Sequence, residues 1–148
     1  MSFQTKAFDT QDALLALLQA STDLSAWTID YGLPSRREEL HIWIDENIEE
    51  WTQAGDTSGI QSKNEDFRLS LYIYDRKTGA SALEIREEIK TVAGFVSDII
   101  GSSPFMGGTV LYATVVGAAY EGAFEDEQGR VREGVLKMSI GCQAFIGA

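Results

Sequence analysis

Apolar and polar residues alternate from Phe67 to Tyr74, with Phe67, Leu69, Leu71 and Ile73 on one side and Arg68, Ser70, Tyr72 and Tyr74 on the other. A period of two is the mark of a half-buried strand. After a turn at Asp75-Arg-Lys-Thr-Gly79 the period lengthens. Ile85, Ile89, Val92, Val96 and Ile99 recur every three or four residues, which places them on one face of a long amphipathic helix. Ser81-Ala-Leu-Glu84 opens that helix as a capping box, the Ser81 hydroxyl accepting from a free backbone N–H while Glu84 reaches back. Gly101 is expected to end it in a left-handed conformation, and Pro104 blocks its resumption. Glu84, Glu87, Glu88, Lys90 and Asp98 lie mostly off the apolar stripe. A helix with one such face needs a sheet to rest on.

The remaining elements supply one. Asp9 or Thr10 can cap a short Leu/Ala-rich helix containing Leu14, Leu15, Leu17 and Leu18, which ends at Ser21-Thr22-Asp23. Trp27, Ile29 and Tyr31 alternate in a short strand, and Gly32-Leu-Pro-Ser35 turns the chain. Leu40, Ile42 and Ile44 alternate with His41, Trp43 and Asp45 in a second strand. That alternation slips near Asn47 before Ile48 and Trp51, as a bulge that bends the strand would make it do. Ala54 to Ser62 is a polar loop with two glycines. Val110 to Val116 is apolar on both faces, which suits a central or interface strand. Glu121 to Arg132 is a charged loop, and Leu136, Met138, Ile140 and Cys142 mark the last strand. The expected fold is α+β: an antiparallel sheet of about five strands, one long covering helix and a short N-terminal helix.

With 148 residues, 44% hydrophobic and 24% charged, the chain is expected to form a single domain over 1–148 with an ordinary core. The N-terminus lacks a basic segment followed by an apolar run, and the apolar runs fall short of a membrane span. No membrane partner and a cytoplasmic setting are therefore expected. The single cysteine, Cys142, sits in an alternating apolar strand and is expected to be a buried structural thiol. A net charge of −11 argues against a protein that reads nucleic-acid sequence, since it repels phosphate at long range. The same repulsion would let DNA slide past without sticking.

Catalytic constellations are sparse. His41 is the only histidine, so a Ser-His-Asp, Cys-His or multi-histidine metal arrangement has no spare parts, and its alternating context makes it a surface strand residue. The glycines from Gly101 to Gly108 lack the Gly-Lys-Ser/Thr ending of a phosphate loop. Asp45, Glu46, Glu49 and Glu50, and Glu125, Asp126 and Glu127, lack the spacing of a calcium loop. No cofactor, metal site or enzymatic activity is expected. Trp43 and Trp51 on an acidic strand extension fit either a protein interface or packing under the long helix.

The order of these elements resembles that of the tail terminator, or head–tail completion, proteins of long-tailed bacteriophages. The resemblance rests on the helix Asp12-Ala-Leu-Leu-Ala-Leu-Leu18, the strand and turn from Trp27 to Pro34, and Leu40-His-Ile-Trp-Ile44 with the bent segment Glu46 to Thr52. It continues through Phe67 to Tyr74, the long helix, a hairpin at Gly117-Ala-Ala-Tyr-Glu-Gly-Ala-Phe124, Gly129-Arg-Val-Arg-Glu133, and the strand from Val135 to Phe145. It implies a structural virion protein of the neck and tail, assembled in the host cytoplasm. Such a protein forms a ring, commonly a hexamer, that caps the tail tube, ends its polymerisation and docks the head connector or stopper. DNA only passes through. On that resemblance Trp43, Ile48 and Trp51 are the expected subunit contacts, and Glu125, Asp126 and Glu127 the expected acidic lining of the lumen. Another head–tail joining protein, either head-closure or minor tail, and a small-ligand-binding α+β module remain as alternatives.

Overall fold

The computed structural model describes residues 4–55, 63–124 and 130–146. Eight elements follow in order: α1 (Ala7–Ala20), β1 (Thr28–Tyr31), β2 (Leu40–Ile44), β3 (Glu49–Gly55), β4 (Lys63–Thr78), α2 (Ala82–Ser102), β5 (Tyr112–Phe124) and β6 (Val131–Ile146). The fold is α+β, a six-stranded sheet covered by the long helix and the short one. The sheet runs β1-β2-β4-β6-β5. The long β4 has room for two partners on one side, β2 against Leu71–Asp75 and β3 against Lys63–Arg68.

The expected charged loop Glu121 to Arg132 is narrower than the sequence suggested, since β5 runs to Phe124 and β6 starts at Val131. In the sheet, three further details depart from the sequence expectation. First, the polar stretch Asp75–Thr78 is strand rather than turn. The β4–β6 ladder runs unbroken from Lys63↔Ile146 to Thr78↔Val131, and that pairing overrides weak local propensity. The turn begins at Gly79, whose φ of 77° favours glycine. Second, β1 joins β2 in parallel, so the sheet is mixed. A four-residue strand is only about 13 Å long, so segment 32–39 can return the chain to its start without a helix. Third, the bent strand expected through Asn47 is two strands. Asp45 Oδ1 accepts from both the backbone N–H and the side-chain amide of Asn47, at 3.0 and 2.9 Å, and this turn separates β2 from β3.

The core lies between α2 and one face of the sheet. Ile85, Ile89, Val92, Val96 and Ile100 are buried against Leu69, Leu71, Ile73, Met138 and Ile140. Each such side chain contributes about 1.5–3 kcal/mol before entropy is subtracted. Ser81 caps α2, its Oγ accepting from the Glu84 N–H at 3.1 Å. Gly101 does not stop the helix. The stripe continues to Ile100, and the Ser103 N–H closes the last turn onto the Ile99 and Ile100 carbonyls. Gly107 and Gly108, at φ 66° and 86°, carry the left-handed turn that follows. The α1 helix begins at Ala7, before Asp9 or Thr10 could cap it.

Candidate functional site

Both ends of the apolar row on β4 carry a buried acid. Glu65 and Asp75 lie in phase with Phe67, Leu69, Leu71 and Ile73, and both are wholly inaccessible to solvent. Their surroundings differ. Glu65 Oε1 accepts from the Lys6 N–H at 2.8 Å, at the start of α1. Its Oε2 accepts from Thr5 Oγ1 at 2.6 Å, Trp51 Nε1 at 2.7 Å and Gln53 Nε2 at 2.8 Å. Burial pushes its pKa up, but these four hydrogen bonds outweigh burial and hold it below the usual carboxylate range. An ionised Glu65 therefore ties the N-terminus of α1 to β3 and β4, where the helix dipole also favours a negative charge.

Asp75 has no such company. Neither carboxylate oxygen has a hydrogen-bond partner among the described residues. Burial, then the neighbouring Glu88 carboxyl on α2, push its pKa to about 7, against the smaller opposing pull of Lys77 and the Arg76 backbone. Lys77 is ion-paired to Glu88. Sequence reading missed both acids. The available signal was their position at i±2 from an apolar row, where a solvated charge has no place.

The opposite face of the sheet holds an aromatic cluster. Trp43 stacks on its register partner Tyr72, with centroids 5.2 Å apart and 15° between planes, and meets His41 edge-on. Arg37, from segment 32–39, lies over the rings of Trp43 and Tyr74 at 5.5 and 5.2 Å. Trp43 is 3% exposed within one chain, its ring covered by its own neighbours. His41 is buried as well, not a surface residue. Its Nδ1 accepts from the Glu38 N–H at 2.9 Å, which leaves Nε2 to donate to Asp30 Oδ2 at 2.7 Å. With both ring nitrogens engaged, His41 fastens segment 32–39 to β1.

Trp51 and Ile48 are half-buried. Trp51 packs edge-on against Phe8 at 5.7 Å while its indole N–H serves Glu65. Cys142 is buried as expected, and burial pushes its thiol up to about 12. Glu125, Asp126 and Glu127 lie outside the described residues, as does most of the polar loop expected over Ala54 to Ser62. Among the described residues no three His, Cys, Asp or Glu side chains are grouped to hold a metal ion, and no helix is long and apolar enough to cross a membrane. An open cavity of about 450 Å³ lies between the C-terminal ends of α1 and α2, lined by Leu17, Ala20, Phe95, Asp98 and Ile99 among others.

The most exposed element is β5. It ends the sheet order, so no strand among the described residues pairs with its outer side. Tyr112, Val116 and Tyr120 are 48%, 46% and 40% exposed. The apolar character on both faces, which fitted a central or an interface position, belongs to an edge.

No family model matches this sequence, and no curated protein matches it. Among solved structures, the chain is similar to a chain of the "Virion of native gene transfer agent (GTA) particle". The two share 16% identity at a TM-score of 0.52, over 90% of this chain and 94% of the other. The fold is therefore one that also occurs in a virion particle.

Proposed function

We propose that this chain is a non-enzymatic structural protein of a phage-like virion, which caps the tail tube as a ring, ends its polymerisation and presents a docking surface to the head connector. The observation that carries the proposal is the fold shared with a virion chain over nearly the full length of both. The order of elements, which resembles that of tail terminators, supports it.

The physics of a cap is geometric. A closed ring satisfies its own contacts and offers tube subunits no further site of their own kind, so growth halts. The protein would be assembled in the host cytoplasm and reside at the virion neck. The net charge of −11 suits a ring through which DNA moves, because an acidic lumen holds no phosphate. Glu125, Asp126 and Glu127, at the β5–β6 connection, are the proposed lining. Ile48 and Trp51, half-buried beside an acidic strand, are proposed to complete subunit contacts.

The test is the mass of the purified protein over a concentration series, followed by negative-stain imaging. Rings near six times 16.3 kDa are the expected result. A protein that stays monomeric both at high concentration and in the presence of tail tubes refutes the reading.

A further inference from the structure

We infer that the outer edge of β5 is the surface by which one copy of this chain seats against a second copy, extending the sheet across the contact. The inference takes from the assembly reading above only that copies of this chain associate; β5 against β5 is a two-fold contact that pairs copies, and a ring needs a second contact besides it.

Length comes first. β5 has 13 residues, about 43 Å of extended chain, and every second backbone N–H and C=O points away from β6. Folded proteins guard such edges with charges, proline, short strands or bulges, because an unguarded edge recruits another strand. The opposite side of the sheet is guarded. β1 is four residues long, and β3 is broken by a register shift between Glu49 and Thr52, with Glu50 at a φ of 48°. β5 has one bulge, between Val115 and Gly117, after which Gly117–Phe124 pairs residue by residue with β6. Its guard is partial.

Charge points the same way. Two copies of a chain at −11 repel each other over most of their surfaces. From Tyr112 to Phe124 only Glu121 is charged. The β5 edge is thus a long seam where like-charge repulsion is small, and the exposed Tyr112, Val116 and Tyr120 gain by burial there. A stable interface covers about 800 Å² per partner, which a 43 Å seam reaches at a width of roughly 19 Å. Side chains on both faces of the strand, with the half-exposed Leu111 beside Tyr112, supply that width.

The experiment compares wild type with Thr114→Glu/Ala119→Glu and with Lys90→Glu. All three positions are exposed, and both variants lower the net charge by two, but Lys90 lies on α2 away from the seam. Ala119 sits opposite Lys137, so a glutamate is accommodated within one copy. Sedimentation gives the assembly mass, and hydrogen exchange of β5 amides gives a second readout on wild type. The expected result is assembly of wild type and Lys90→Glu, with the β5 amides that point away from β6 protected only in the assembly. The double variant should then remain at 16.3 kDa or need at least about tenfold more protein to assemble. If the species lost in this way is a dimer, the edge inference stands and the ring reading fails. A double variant that assembles like wild type overturns the edge inference and leaves the ring reading intact. A wild type that is monomeric at every concentration also overturns it, and the ring reading then rests on addition of tail tubes.

Discussion

Asp75→Asn should make the protein more stable at pH 8 and leave it nearly unchanged at pH 5. Asp75 is fully buried, has no hydrogen-bond partner among the described residues, and faces Glu88 from β4, with Lys77 and Glu84 nearby and Tyr120 on β5. Its pKa rises from 3.8 to about 7 on folding. The sign follows: the folded state binds the Asp75 proton more tightly, so stability is greatest below the unfolded pKa and is lost as pH climbs from about 4 to about 7. A shift of about three units corresponds to roughly 4 kcal/mol. That figure is a ceiling, because Lys77, ion-paired to the neighbouring Glu88, compensates part of the charge on Asp75. Asparagine is neutral at every pH, and its amide can donate to Glu88. A gain of about 2–4 kcal/mol at pH 8 follows, or roughly 5–15 °C in Tm for a chain of this size. Urea unfolding followed by tryptophan fluorescence, at fixed low protein concentration from pH 5 to 8.5, measures it; fixing the concentration removes any contribution from assembly. If wild-type stability does not fall over that range and Asp75→Asn destabilises equally at both ends, Asp75 is ionised and satisfied, and the reasoning fails.

Glu65→Gln should cost about 2–4 kcal/mol and shift Trp51 emission to the red, because an amide cannot accept from Thr5, Lys6, Trp51 and Gln53 together. Since its folded pKa is depressed, the stability Glu65 provides is present above the unfolded value near 4.5 and is lost as pH falls below it; acid titration of Trp51 fluorescence checks this. Gly134→Ala should cost about 1–3 kcal/mol in urea unfolding, because the new methyl falls 2.7 Å from a methyl of the core residue Ile85 and 2.6 Å from Tyr120 Oη. Gly141→Ala meets only Val116 Cγ1, at 2.9 Å, and that half-exposed side chain can turn, so the same assay should register less than about 1 kcal/mol. Ser81→Ala removes the α2 cap and should lower stability by about 0.5–2 kcal/mol.

The main axis of the fold was legible because β4 and α2 carry clean periods of two and of three to four over many residues. Five apolar positions identified the buried face of α2, four of them fully, with Ile100 taking the place of Ile99 in the core. What sequence could not show was set by partners distant along the chain. His41 is buried because segment 32–39 folds back over it, and nothing in Leu40-His-Ile-Trp-Ile44 announces that cover. Trp43 was weighed as either an interface residue or one packed under the long helix; it packs instead on the sheet face away from α2, stacked on Tyr72 with Arg37 above. β5 was recognised as apolar on both faces, but its place at the edge depends on the strand order, a property of the whole sheet. The buried acids were visible only as charges in phase with an apolar row.

The capping role is tested most directly by adding the purified protein to growing tail tubes and measuring tube lengths and end structures by electron microscopy. The account predicts tubes that stop growing, with a ring at one end and an open passage through it. Tubes that lengthen at the control rate, with no added density at either end, contradict it.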